Sequence, residues 1–372
     1  MHSRVPYPSL GSRLPLAYPC GMDFFSDNSV GASPRVMAAI AAANDGSLSS
    51  YGKDDWTQRV EARFAALFEH EVSVFLVLTG TAANALALAS ITRPWGAILA
   101  HQEAHVCEDE CGAPEFFTDG AKLIDLPGVG AKLTPETLTE ALSHLRAGDF
   151  HQVQAQALTI TQATECGTVY TPAEIAALKQ AAAPRGLKLH MDGARFANAL
   201  VTLGCTPAEM TWKAGVDVLS FGGTKNGALA AEAVIFFDPA HAEEMKWRRK
   251  RAGQTLSKGR LLGAQFEGLL ADDHWLDLAR HANAQAKRLA DAVAQGSQAR
   301  LAWPCQANEV FLVLPPATQQ RLKAAGIGYY DWSPRSLPPE ARLKDGEILG
   351  RFVMSFATRP EDVERAIATI GG

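Results

Sequence analysis

The sequence lacks any continuous apolar run of the ~20 residues that would span a bilayer. No membrane-embedded role is therefore expected. It also lacks strong charge bias: the net charge is −5, which gives no reason to expect nucleic acid as the main partner. Cysteine is scarce, with six in 372 residues. That usage fits reduced thiols in a cytoplasmic protein rather than a disulfide framework. Residues 1–21 hold Arg4, Arg13 and several prolines but no continuous apolar segment, so they read as a loose arm and not as a secretory signal. Neither a repeat nor a low-complexity stretch interrupts the chain.

What is there is an ordinary globular mixture, 47% hydrophobic and 20% charged, long enough for two domains. Short apolar runs at 72–78, 95–100, 123–126, 157–161, 187–191, 216–221 and 234–237 read as strands. Helix starts lie between them. Thr134-Pro135 offers a cap followed by proline in the first turn, and Thr171–Glu174 and Thr206–Glu209 have capping-box spacing. This alternation predicts an α/β fold with a mainly parallel sheet covered by helices on both faces. After Asp238-Pro239 the pattern changes. Helices are expected at 240–251, 259–270, 275–294, 318–325 and 360–370, with strands at 310–314, 328–331 and 352–356. We divide the chain into an arm (1–21), a large domain (22–259) and a small C-terminal α+β domain (260–372).

Four predicted strand ends carry chemistry. Ser220–Gly227, SFGGTKNG, puts Lys225 in a glycine-rich turn, where an amine can act as a Schiff-base nucleophile. Its bland alternative is a solvated surface lysine. Gly80 and Thr81 follow a strand and open a helix, a ready anion site. His190–Arg195, HMDGAR, ends a strand in Asp192 and Arg195, and His105 follows another. In an open α/β sheet such ends share one crevice. Pyridoxal 5′-phosphate suits all four: its phosphate the Gly80-Thr81 turn, its ring the face of His105, its ring nitrogen Asp192, its aldehyde Lys225.

Other features admit other readings. His101, His105, Cys107 and Cys111 have spacings that could hold zinc, although such spacing alone is weak and the two cysteines also suit a core. The basic run Arg248–Arg251 could meet nucleic acid or simply be a solvated helix face.

The order SDN, YGKDDWT, TGTAAN, AHVCEDECG, TQATECGTVY, HMDGAR, SFGGTKNG and RRKRAGQ resembles the threonine aldolase family of fold-type I pyridoxal-phosphate enzymes, over about residues 22–360. AHVCEDECG and SKGRLLGAQ resemble the bacterial low-specificity L-threonine and phenylserine aldolases. The resemblance implies a lyase that cleaves L-threonine, L-allo-threonine or related β-hydroxy-α-amino acids to glycine and an aldehyde. Lys225 would hold the cofactor covalently, Asp192 would meet its ring nitrogen, and Gly80 and Thr81 its phosphate. Arg195 would contact the ring hydroxyl or the substrate carboxylate. His105 would stack on the ring and help to remove the β-hydroxyl proton. Ser26 and Arg351 would bind the substrate carboxylate. Lys250 would reach a phosphate across a subunit interface, in a homodimer or homotetramer with interfacial sites. Tyr51 would lie near the cofactor, and His151 would match a second pocket histidine.

Two departures stand out. Asp109 replaces an aromatic residue and would reshape the side-chain pocket. Arg251–Thr255 replaces a glycine-rich run, which weakens the role of Lys250. A β-eliminating lyase or aminotransferase on the same fold, or a catalytically dead binding module, are the alternatives; the last would require Lys225 or Asp192 to be missing.

Overall fold

The computed structural model describes residues 22–372, so the expected arm at 1–21 lies outside the described residues. Its centre is a seven-stranded sheet. In chain order the strands are β2 (Ser73–Val77), β3 (Gly96–His101), β4 (Lys122–Leu126), β5 (Gln154–Thr161), β6 (Lys188–Gly193), β7 (Val218–Gly222) and β8 (Glu232–Phe236), after a short β1 (Met22–Asp23) elsewhere. The spatial order is β2-β8-β7-β6-β5-β3-β4. Neighbours from β7 to β4 are parallel, whereas β8 runs antiparallel to both β7 and β2. Reversing twice makes β2 parallel to the rest. Six carboxyl ends, together with the start of β8, therefore share one edge. Strands buried on both faces read as unbroken apolar runs rather than alternations: every residue of β3, β7 and β8 is buried.

Local signals behave as their chemistry dictates. Thr171 and Thr206 each cap a helix through a complete capping box with Glu174 and Glu209. Thr134 accepts from the Thr137 amide ahead of the helix that begins at Pro135. The helix Gly80–Ile91 has almost no polar side and is buried along most of its length, between the sheet and its neighbours.

A second sheet contains β9 (Arg300–Leu301), β10 (Glu309–Leu314), β12 (Tyr330–Asp331) and β13 (Ile348–Val353), in the order β12-β13-β10-β9. β11 (Ile327–Gly328) pairs instead with β1. The strand expected at 352–356 is thus displaced: β13 ends at Val353, where pairing with Glu309 stops. The run 328–331 divides between β11 and β12, which join different sheets.

The change of sequence pattern near 260 does not coincide with the change of core. The helix Arg260–Leu270 packs with Val36, Val60 and Phe64 under the large sheet. The helix His274–Gly296 is shared: Trp275 and Ala279 belong to the large core, Ala286, Leu289 and Val293 to the small one. At the other end Phe24 is buried in the small core, next to Phe352. The first described residues therefore belong with the last part of the chain. Among the described residues no helix is long and apolar enough to cross a membrane.

Candidate active site

A cavity of about 320 Å³ opens at the shared strand edge, a size suited to a small ligand. Gly80, Thr81, His105, Asp192, Arg195 and Lys225 all line it. Register explains the convergence. Thr161 of β5 stands beside Asp192 of β6, and Asp192 beside Ser220 of β7. Gly222 faces Glu232, so the antiparallel β8 begins where its neighbours end.

Lys225 follows β7 on one turn of 3-10 helix, Thr224–Asn226. Gly223 is required before it: a Cβ there would lie 2.4 Å from the carbonyl oxygen of Ala231. Gly227 closes the turn at φ +102°, in the left-handed region that side chains rarely adopt. Glu232 accepts from the Gly223 amide at 2.8 Å. Burial pushes its carboxyl up to about 7, against hydrogen bonds from Thr224 and Gly223 and the charge of Lys225.

Asp192 is 5% exposed and held at both oxygens: Asn84 Nδ2 donates at 2.7 Å and the Ala194 amide at 2.9 Å. The same Asn84 Nδ2 donates to Glu110 Oε1 at 2.8 Å, and that oxygen also meets His105 Nδ1 at 2.8 Å. The bond to Glu110 raises His105 above its ordinary range, although burial opposes it. Gly80 and Thr81 form the first turn of a 12-residue helix, capped by Thr79 through the Ala82 amide. Amides in that turn have no intrahelical acceptor and point toward the cavity side of the sheet.

Arg195 is fully engaged behind the cavity. Nε and Nη2 donate to Asp27 at 2.8 and 3.1 Å, and Nη1 lies 3.3 Å from Glu309. Burial would raise the Asp27 carboxyl, but the charges of Arg195 and Lys225 outweigh it and hold the group low. Arg351 sits on the opposite side of Glu309, 3.8 Å away, with its guanidinium over Trp332 and Nη2 donating to the Phe25 carbonyl.

Several expected residues stand apart from this cavity. Ser26 accepts from the amide of Asn28, which does line it, but Ser26 itself does not. Asp109 is exposed and is not among the residues that line the cavity. Lys250 lines a separate surface cavity with Phe116, Trp247 and Arg251, its amine over the ring of Tyr51. His151 precedes β5 and so lies at the opposite sheet edge, exposed against Phe150. It cannot be a pocket histidine in this chain. His101 is tied to the Gly128 carbonyl and the Glu103 amide. Among the described residues no group of three or more His, Cys, Asp or Glu is arranged to hold a metal.

The structure adds Asn84, Glu110, Glu165, Glu232 and Asp27. Asn84 had a signal: four residues after Gly80, it lies one turn along the same helix face. Glu165 and Glu110 stand inside motifs already singled out; Glu110 is one carboxyl among Glu108 and Asp109, whereas Glu165 is the sole carboxyl of TQATECGTVY and could have been named from it.

The beta-eliminating lyase family profile matches residues 23–314. The chain is 45% identical over 342 residues to the low specificity L-threonine aldolase of Pseudomonas aeruginosa, covering 92% of this chain and 94% of that one. It is 47% identical over 307 residues to the enzyme of the same name from Pseudomonas sp. (82% and 88% covered). The solved structure of Leishmania major threonine aldolase superposes with a TM-score of 0.86 at 30% identity, covering 94% of this chain and 98% of that one.

Proposed function

Because the chain belongs to the beta-eliminating lyase family, in its threonine aldolase branch, we propose that it is a pyridoxal-phosphate aldolase. It cleaves L-threonine, L-allo-threonine or a related β-hydroxy-α-amino acid to glycine and an aldehyde. The observation that carries this reading is the set of groups lining one cavity: the amine of Lys225, the carboxylate of Asp192, the imidazole of His105 and the Gly80-Thr81 helix start.

That set fits the cofactor. Asp192, buried and fixed by Asn84 and the Ala194 amide, offers a charge-assisted partner to a protonated ring nitrogen. Lys225 would be the covalent anchor, and the first-turn amides would meet the phosphate. His105, oriented by Glu110, presents its ring to the cavity. When bound, pyridoxal phosphate supplies a carbonyl for the substrate amine and a ring that accepts the electrons released at Cα. The protein's residues hold the substrate so that the bond to be broken is aligned, and they keep water from competing. Arg195, paired with Asp27 and Glu309, holds the shape of the cavity wall, and Arg351 on the other side of Glu309 is the guanidinium proposed for the substrate carboxylate, with Ser26 beside it; Asp109 is proposed for the substrate side-chain end.

Phe116 and Trp247 are 75% and 62% exposed and line the cavity that holds Lys250. Their exposure supports a face covered by a second copy of the chain, with Lys250 directed across it. The decisive test mixes purified cofactor-loaded protein with L-threonine and measures products. Glycine and acetaldehyde in equal amounts are expected. Keto-acid formation instead would assign the site to elimination or transamination.

A further inference from the structure

Glu165 is a carboxyl of the cavity to which the roles above give no task. It follows β5, four residues beyond Thr161. Two donors converge on its Oε1: Thr161 Oγ1 at 2.7 Å and the backbone amide of His105 at 2.9 Å. Oε2 is buried and has no hydrogen-bond partner among the described residues. The side chain lines the cavity together with His105, Asp192 and Lys225. A buried acceptor left unpaired in this way is a rare and costly feature, and it calls for an explanation.

Protonation separates Glu165 from His105. The bond from Glu110 raises His105 above its ordinary range, which favours the protonated imidazole and makes it a weaker acceptor. Burial pushes Glu165 up to about 7; the Thr161 and His105 hydrogen bonds oppose this and the negative charge of Asp192 adds to it. The other charged or titratable groups acting with it are Arg195, Cys107, Cys166 and Tyr170. A base is most effective when its pKa lies near the working pH.

We infer that Glu165, whose side chain lines the cavity beside His105, Asp192 and Lys225, is the base that takes the proton of the substrate's β-hydroxyl. This rests on the aldolase reading above. The balance closes without an oxidant. The O–H proton passes to the Glu165 carboxylate, and its bonding pair becomes the second bond of the aldehyde carbonyl. The Cα–Cβ pair stays with Cα and ends, after protonation, as a C–H bond of glycine. The proton held by Glu165 leaves to solvent or returns to Cα. His105 then keeps its ring-facing role, held by Glu110, and the β-hydroxyl proton goes to Glu165.

Glu165→Gln tests the assignment, because the amide oxygen still accepts from Thr161 and His105 while the basic oxygen is lost. Turnover of L-threonine should fall by about a hundredfold or more, and the rise of kcat around pH 7 should disappear. Glycine binding, read from the cofactor's absorbance, should stay within about threefold of the parent. Thr161→Val removes a bond that favours the charged carboxylate, so the same rise should move to higher pH. A cofactor-free readout comes from thermal unfolding. Glu165 binds its proton more tightly folded than unfolded, so the parent loses stability as pH climbs from about 5 to 8, and Glu165→Gln should lose less. Turnover within about fivefold of the parent with the pH rise intact would overturn the assignment alone. So would loss of glycine binding in parallel with turnover, which would make Glu165 a structural clamp. A parent that forms glycine from no β-hydroxy-α-amino acid would overturn the aldolase reading itself, and the assignment with it.

Discussion

Arg195 and Asp27 meet through two parallel hydrogen bonds, Nε to Oδ2 at 2.8 Å and Nη2 to Oδ1 at 3.1 Å, with both side chains almost wholly buried. They lie 168 residues apart in sequence. The pair ties the start of the chain to the end of β6. Glu309 then ties the same guanidinium to the small sheet.

Asp27→Asn should therefore be costly. It removes the two-bond carboxylate partner of a buried guanidinium, and breaking one side of a buried pair costs about 3–5 kcal/mol. Urea unfolding should show a lower midpoint. The Asp27 carboxyl is held below its ordinary value in the fold, so its contribution is present at neutral pH and fades as pH falls through the folded value. The difference between parent and variant should narrow in acid.

Lys225→Ala should remove the covalent anchor while leaving the sheet intact, since Lys225 lies beyond β7 in a solvent-reachable turn. Turnover should drop by at least about ten-thousandfold, ~5.5 kcal/mol in the barrier. Borohydride should no longer fix the cofactor to the protein, as mass spectrometry of the parent and variant would reveal.

Glu110→Gln keeps an acceptor for His105 Nδ1 but removes the charge that raises the imidazole. The His105 ring should titrate at a lower pH than in the parent, visible in its proton NMR shifts. A fall of about tenfold in kcat/KM, ~1.4 kcal/mol, is expected near neutral pH. An unchanged titration would show that Glu110 does not set the state of His105.

His190 lies under the cavity floor, its two nitrogens bonded to Thr159 Oγ1 at 2.8 Å and Ser220 Oγ at 3.0 Å. Burial pushes it down to about 4 from 6.5. A histidine depressed in the fold stays neutral there while the unfolded chain takes up a proton. Its contribution is thus complete above pH 6.5 and is lost as pH falls toward 4. The span corresponds to roughly 3 kcal/mol. His190→Gln should flatten that part of the stability profile relative to the parent, measured by urea unfolding from pH 4 to 7.

Some of this was written in local chemistry. The turn around Lys225, the capping boxes at Thr171 and Thr206 and the apolar strands each depend on residues a few positions apart. They were legible for that reason. The displaced strand β13 and the divided β11 and β12 were not, because their limits are set by partners, Glu309 for one and Met22–Asp23 for another. His151 illustrates the same limit at the site. Its distance along the chain from Asp192 said nothing of which end of β5 it would occupy.

The sequence by itself determined the chemical kinds present at the cavity: an amine, a carboxylate, an imidazole and a glycine-led helix start, each at the end of an apolar run. Only the tertiary structure decided which carboxyl does what. Asp192, Glu110, Glu165, Glu232 and Glu309 are alike as residue types. They differ in burial and in the number of donors aimed at them, and both come from strands and helices brought together over long sequence separations. That is why Glu110 ends bonded to an imidazole and Glu309 between two arginines, while Glu165 lines the cavity with one oxygen unpaired.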